Sequence, residues 1–149
     1  MPNIVINIPS GVLNAGSKKM LVKEINSVAV EVEQIGDDPK SRFLCWVVIE
    51  EVASGNWTCG GSDVTSECVP IFIIVHIPAG VLDEATRARY IDGVHRAVHA
   101  ALPDEKRKIV ISCIFNEVGD GLWGVNGDLW HLKDLVRHAG YKHLQHFVK

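Results

Sequence analysis

No apolar run in this sequence approaches the roughly 18 residues that a membrane span needs; the longest, such as Phe43–Ile49 and Ile71–Val75, are of strand length. The N-terminus has neither a basic n-region nor an apolar h-region, so no signal peptide is expected and the chain reads as cytoplasmic, with no membrane partner. Positive charge is also short. Fifteen Lys and Arg stand against eighteen Asp and Glu, and no stripe of Arg and aromatic residues runs through the chain, so nucleic acid is not an expected partner. There is no C-x-x-C pair among Cys45, Cys59, Cys68 and Cys113, and Cys45 and Cys113 sit inside apolar strand runs. They read as reduced thiols rather than a disulfide or metal framework. The glycine-rich loops lack the G-x-x-x-x-G-K-[ST] pattern of a phosphate cradle. His95 and His99 have the i, i+4 spacing of a zinc pair but not the Glu of H-E-x-x-H. No cofactor and no metal are expected.

What is present is a repeat. Pro9-Ser-Gly-Val-Leu13 recurs as Pro78-Ala-Gly-Val-Leu82, each after a β-rich run, Asn3–Ile8 and Ile71–Ile77. An apolar stripe at steps of three and four follows each turn: Leu21, Ile25, Val28, Val32 and Ile35 in the first copy, Tyr90, Val94, Ala97, Val98 and Ala101 in the second. These predict helices over Ser17–Ile35 and from Asp83, as N-cap, to about Leu102. A second strand follows in each copy, Phe43–Val52 and Ile109–Val118, and then a glycine loop in which Gly55-x-Trp57 matches Gly121-x-Trp123 and Gly61 matches Gly127. The predicted organisation is one domain: a first βαβ unit over 2–61, a linker over 62–68, a second unit over 69–127, and a tail over 128–149 with a short amphipathic helix capped by Gly140. His138, His143 and His146 in that tail read as a solvated basic end.

Strand, helix, strand in one direction is a right-handed βαβ unit. Two such units give an α+β fold: a four-stranded mixed sheet with two helices on one face. Ile and Val on both sides of the strands leave the other face apolar, with no sequence left to cover it, so further copies of the chain are expected to do so.

The proline after the initiator, the apolar strand, the turn closing on Gly11, the long helix, the second strand and the Gly-x-aromatic loop together resemble the 4-oxalocrotonate tautomerase family. The doubled chain is similar to its fused members, which include the cis-3-chloroacrylate dehalogenase and malonate semialdehyde decarboxylase groups. The resemblance covers roughly residues 2–127. It implies a homotrimer and a small-molecule substrate, with Pro2 as catalytic base and acid once Met1 is removed. A retained Met1 would make the Pro2 nitrogen an amide without basicity. Pro70, within the chain, cannot do this chemistry, so there is at most one site per subunit.

The physical reason for such a base is direct. A terminal amine titrates near 7.7–8.0, an apolar surround lowers that pKa, and the neutral nitrogen can lift a proton and return it. The bland alternative is a proline leading a strand, where proline is tolerated. The expected pocket is walled by Ile4, Trp57 and His76, with Arg42 as a substrate-binding cation; Arg42 also reads as a solvated strand-edge residue and His76 as a hydrogen-bonded sheet histidine. The arginines of the family's clamp are absent, since Val12, Val81, Trp46 and Ser112 stand in their places, and Cys59 and Val125 replace the glutamate that activates water. The resemblance with these departures points to tautomerisation of a small apolar or aryl enol rather than dehalogenation or hydration. The other reading is a non-catalytic trimer that binds a small ligand or a protein.

Overall fold

Alternation makes the first strand. In β1 (Asn3–Pro9), Ile4, Ile6 and Ile8 are fully buried on one side while Asn3, Val5 and Asn7 are half-buried on the other. The computed structural model describes all residues, Met1–Lys149, and centres the sheet on this strand. β1 runs parallel to β2 (Trp46–Val52) and antiparallel to β3 (Cys68–Pro78), which runs parallel to β4 (Lys108–Val118). The order is β2-β1-β3-β4, a mixed sheet of two βαβ units.

Each parallel pair needs a crossover, and α1 (Ala15–Val32) and α3 (Glu84–Ala101) supply them, both 18 residues long. Their starts are equivalent in detail. Asn14 and Asp83 cap them, each side chain accepting from the backbone N–H of Ser17 or Thr86 at 2.8 Å, and each closes a capping box. The helices pack on each other and on the same sheet face. Gly93 makes the approach close: a Cβ there would lie 2.7 Å from Val28 Cγ1.

The structure corrects several boundaries. The strand expected from Phe43 begins only at Trp46. Asp38 accepts from Lys40 and Ser41 N–H and Pro39 takes the first helical position, so α2 (Pro39–Phe43) forms instead and leaves Phe43 exposed. Helix α1 stops at Val32 rather than Ile35, because Gln34 turns to a φ of 53° and sends Ile35 into the core. The second glycine loop is a hairpin, β5 (Trp123–Val125) with β6 (Asp128–Trp130). Asn126 and Gly127 both have positive φ, 52° and 91°, as a two-residue turn of primed type requires.

His138 and His146 are exposed, as expected, but the tail around them packs on the fold and His143 is half-buried. After α4 (Leu132–Ala139) and Gly140, Tyr141 and Leu144 are buried, and the chain straps the C-terminal end of α1. Gly36 N–H donates to Ala139 O at 2.9 Å, Lys142 N–H to Gln34 O at 2.9 Å, and Ser41 Oγ to His138 O at 3.0 Å. His143 Nε2 lies 2.9 Å from Val81 O, partly buried.

The helices cover one face of the sheet only. On the other, the register aligns Val48, Val5, Ile74 and Ile114 across all four strands, with Trp46, Phe72 and Val110 nearby. Val48, Ile114, Val110 and Trp46 are exposed. No helix is long and apolar enough to cross a membrane.

Candidate active site

The site is built where β1 begins. Pro2 is buried, and its carbonyl accepts from Trp46 N–H at 3.0 Å, extending the β1–β2 ladder back to the second residue. That fixes the terminus against the helices. The Met1 side chain is buried and its amine lies 3.2 Å from Glu33 Oε2. Glu33 is the residue after α1 and is wholly inaccessible. Tyr90 of α3 donates to its Oε1 at 3.0 Å, and Tyr141, leading out of the tail's turn, donates to its Oε2 at 3.3 Å.

Burying an ion pair costs several kcal/mol per ion before the pair's attraction repays it. Desolvation accordingly dominates both partners. It raises Glu33 above the usual carboxylate range, against the opposing pull of the terminal amine and Tyr90. It lowers the amine below its ordinary value, against the pull of Glu33. Each shift disfavours the charged form of its group, the ammonium on one side and the carboxylate on the other. Tyr90 is raised well above its ordinary value by burial and by the Glu33 charge, and stays a donor. Burial also pushes the Cys45 thiol up to about 12 and Cys113 up to about 11, which removes them as nucleophiles.

The residues singled out in the sequence fall in different places. Ile4 is fully buried beneath the helices, two residues along from Pro2. His76 is opposite Asn3 on the uncovered face, with its Nδ1 2.9 Å from Asn116 Nδ2. Arg42 is at the Pro2 end but on α2, not a strand edge, and is paired with Asp37 at 3.0 Å. Asp37 is held below its ordinary pKa by Lys142 first and Arg42 second. Trp57 is the clearest correction. β1 and β2 are parallel, Pro2 is at their starting end, and Trp57 follows the far end of β2, about 20 Å along the strands. Within one chain Trp57 does not wall Pro2.

Sequence reasoning missed Glu33 and Tyr141 and took Tyr90 as plain core. A signal existed: Glu33 is one helical step of four from buried Ala29, so it continues the apolar stripe with a carboxylate. An open groove of about 480 Å³ lies beside this end, between α1 and the edge strand β2, lined in part by Val22, Lys23, Asn26, Cys45 and Trp46. The buried Asn26 Oδ1 has no hydrogen-bond partner. No cluster of three His, Cys, Asp or Glu side chains is placed to hold a metal ion.

No protein-family model and no curated protein matches the chain. Solved structures do. The solved structure of a fused 4-OT, R7, as an asymmetric trimer superposes with a TM-score of 0.69 at 15% identity, covering 85% of this chain and 94% of that one. The fold is that of the fused 4-oxalocrotonate tautomerases. RhCC from Rhodococcus jostii RHA1 shares this tautomerase fold, with a TM-score of 0.65 at 17% identity over 85% of this chain and 84% of that chain. N1, a member of the cis-3-chloroacrylic acid dehalogenase family, shares it too, with a TM-score of 0.67 at 12% identity over 85% and 82%. On the tautomerase scaffold of this chain, the start of β1 carries an amine, a carboxylic acid and two phenols, and no free guanidinium.

Proposed function

We propose that this protein is a cofactor-free keto–enol tautomerase whose general base is the amine of Pro2, freed by removal of Met1. One observation carries the reading: the chain's terminal amine is sealed into a site where burial pushes its pKa down. Removing one residue transfers the amine to the Pro2 nitrogen, at most about 3.8 Å along the chain. A neutral secondary amine there takes the proton from one atom of an enol or ketone and returns it to another. Dehalogenation and hydration need a group that activates water, and Cys59 and Val125 stand in the two loop positions where an acid would serve.

The substrate of this reading is a small apolar or aryl enol. Arg42 is engaged with Asp37, so no free arginine clamps a carboxylate. The test is ketonisation of methyl phenylenolpyruvate, an uncharged aryl enol, by protein beginning at Pro2, checked by intact mass, against its Pro2→Ala variant. The variant keeps a primary, more mobile amine, and its rate should fall by at least tenfold; equal rates sink the proposal.

The protein is also proposed to be a homotrimer, since the row Val48–Val5–Ile74–Ile114 is an apolar band that nothing in the chain covers. Light scattering should give three chain masses for wild type and one for Ile74→Lys; a wild-type monomer at micromolar concentration rejects this. A second reading, a non-catalytic trimer that binds a ligand or partner, has its own support: the Met1 side chain fits the core and its amine is already paired. Met1 retained in the cellular protein would favour it.

A further inference from the structure

The base accounts for one end of the proton transfer and leaves the oxygen of the substrate without a partner. Three groups around the terminus have no role in that account: Glu33, Tyr90 and Tyr141. All three are fully buried, and both oxygens of the carboxyl are occupied by them and by the amine. The fold does not demand a polar cluster here. In the second repeat the position equivalent to Glu33 is Leu102 and, in the first, the position equivalent to Tyr90 is Leu21, both buried.

We infer that Glu33 is the acid partner of Pro2, and that the pair serves a neutral carbonyl substrate whose reacting end occupies the space left by Met1. This rests on the tautomerase reading. In the enolising direction the Pro2 nitrogen takes the α-proton, and the C–H electron pair becomes the C=C bond. The carbonyl π pair moves to oxygen and takes the proton of Glu33. The protein is left with a Pro2 ammonium beside a Glu33 carboxylate, the ion pair whose counterpart the Met1 amine makes in the structure at 3.2 Å. Tyr90 and Tyr141 hold that carboxylate as it forms. Ketonisation runs the same steps backwards, so no other reactant is needed.

The substrate class follows from the charges that face the carboxyl. From the start of β1 there is the amine; from α3, Tyr90; from the tail, Tyr141; from the connection before β2, the Cys45 thiol. Cys113 of β4 acts on Tyr90, and Arg42 acts on Cys45 but is paired with Asp37. The amine is the only cation in direct contact, and Glu33 already uses it. A carboxylate on the carbon next to the reacting carbonyl would enter beside Glu33 as a second anion with no partner there, which a buried site penalises heavily, and Lys23 is placed only along the open groove beyond. The remainder of a neutral substrate has the groove at Cys45 and Trp46 to lie in.

The experiment follows loss of the α-proton signal of butanone in D2O by NMR, with pyruvate as the anionic comparison, using protein that begins at Pro2. Exchange should fall at low pH as the amine is protonated and at high pH as Glu33 ionises, with limbs that belong to the coupled pair. Glu33→Gln keeps the size and the tyrosine contacts but has no proton to give. Its rate should fall roughly a hundredfold or more and its high-pH limb should vanish. Tyr90→Phe removes a donor to the carboxylate and should move the high-pH limb upward. If Glu33→Gln exchanges at the wild-type rate with the same limbs, Glu33 only anchors the terminus and the inference is overturned. Should that variant not fold, an unmoved limb in Tyr90→Phe overturns it equally. Pyruvate exchanging as fast as butanone overturns the substrate class. Wild type that neither exchanges butanone nor ketonises methyl phenylenolpyruvate overturns the base itself, a result distinct from the others.

Discussion

At the end of α1 the chain places Glu33; at the equivalent end of α3 it places Leu102. Much of the framework is shared: helix length, capping boxes, the parallel strands beneath and the glycine turns before them. At the equivalent positions the second repeat places Leu102 and the first places Leu21, both buried, so that end is filled with hydrocarbon at low cost. The first repeat closes its end with a carboxylate, an amine and two phenols, and the tail is laid across to bring in Tyr141. A duplicated fold can hold one end as scaffold and spend stability on the other. The asymmetry also fits the chain's chemistry, since only the first repeat begins at a terminus and so only it can present a basic nitrogen.

The comparison is broken most forcefully by making the first end like the second. Glu33→Leu removes one partner of a buried pair and should cost about 3 kcal/mol. The pH dependence gives the cause. The folded amine has a lowered pKa, so below the unfolded value near 8.0 the unfolded chain binds more protons and stability rises with pH. Glu33 has a raised pKa and acts in the opposite sense, losing stability as pH rises from the unfolded value of 4.5 through its folded value. In wild type the two slopes oppose each other. In Glu33→Leu the amine's slope is left alone, so the urea midpoint should climb between pH 6 and pH 8 more steeply than in wild type. A parallel pair of curves would show that the amine does not depend on Glu33.

How much of this was legible follows from the same contrast. The repeat, the βαβ units and the single-sided helix layer could be read because they rest on periodicity and matched turns, which are local. The cap at Asp83 was readable; its twin at Asn14 has the same geometry and follows the same Pro-x-Gly-Val-Leu turn, so the repeat carried it too. The strand start at Trp46 was misread because Phe43–Leu44–Cys45 is apolar, while Asp38 and Pro39, five and four residues before Phe43, start the helix that runs to Phe43. The site was mostly hidden. Glu33, Tyr90 and Tyr141 are separated by 57 and 108 positions from one another's contacts with the carboxyl, and no local pattern joins them. Trp57 was placed beside Pro2 through the likeness of the loops, and strand direction puts it at the far end.

The comparison is sharpened by the smallest of the matched features, the ion pairs that tie each long helix to its returning strand. Lys18 Nζ lies 2.6 Å from Glu51 Oε2 in the first repeat, and Arg87 Nη1 lies 3.3 Å from Glu117 Oε1 in the second, at equivalent positions. All four side chains are about a third or more exposed, so each pair should contribute at most about 0.5 kcal/mol in a double-mutant cycle, and less in high salt. The cations also sit near helix N-termini, where the helix dipole opposes them. The two differ in one contact: Arg87 Nη1 donates to Leu82 O at 3.1 Å, partly buried, and Lys18 has no such bond. Arg87→Met should therefore cost roughly 1 kcal/mol more than Lys18→Met. That excess should survive in the presence of Glu117→Gln, because the backbone carbonyl and not the carboxylate supplies it. If the excess vanishes with Glu117, the ion pair itself differs between the repeats, and the equivalence of their outer faces fails as that of their inner ends does.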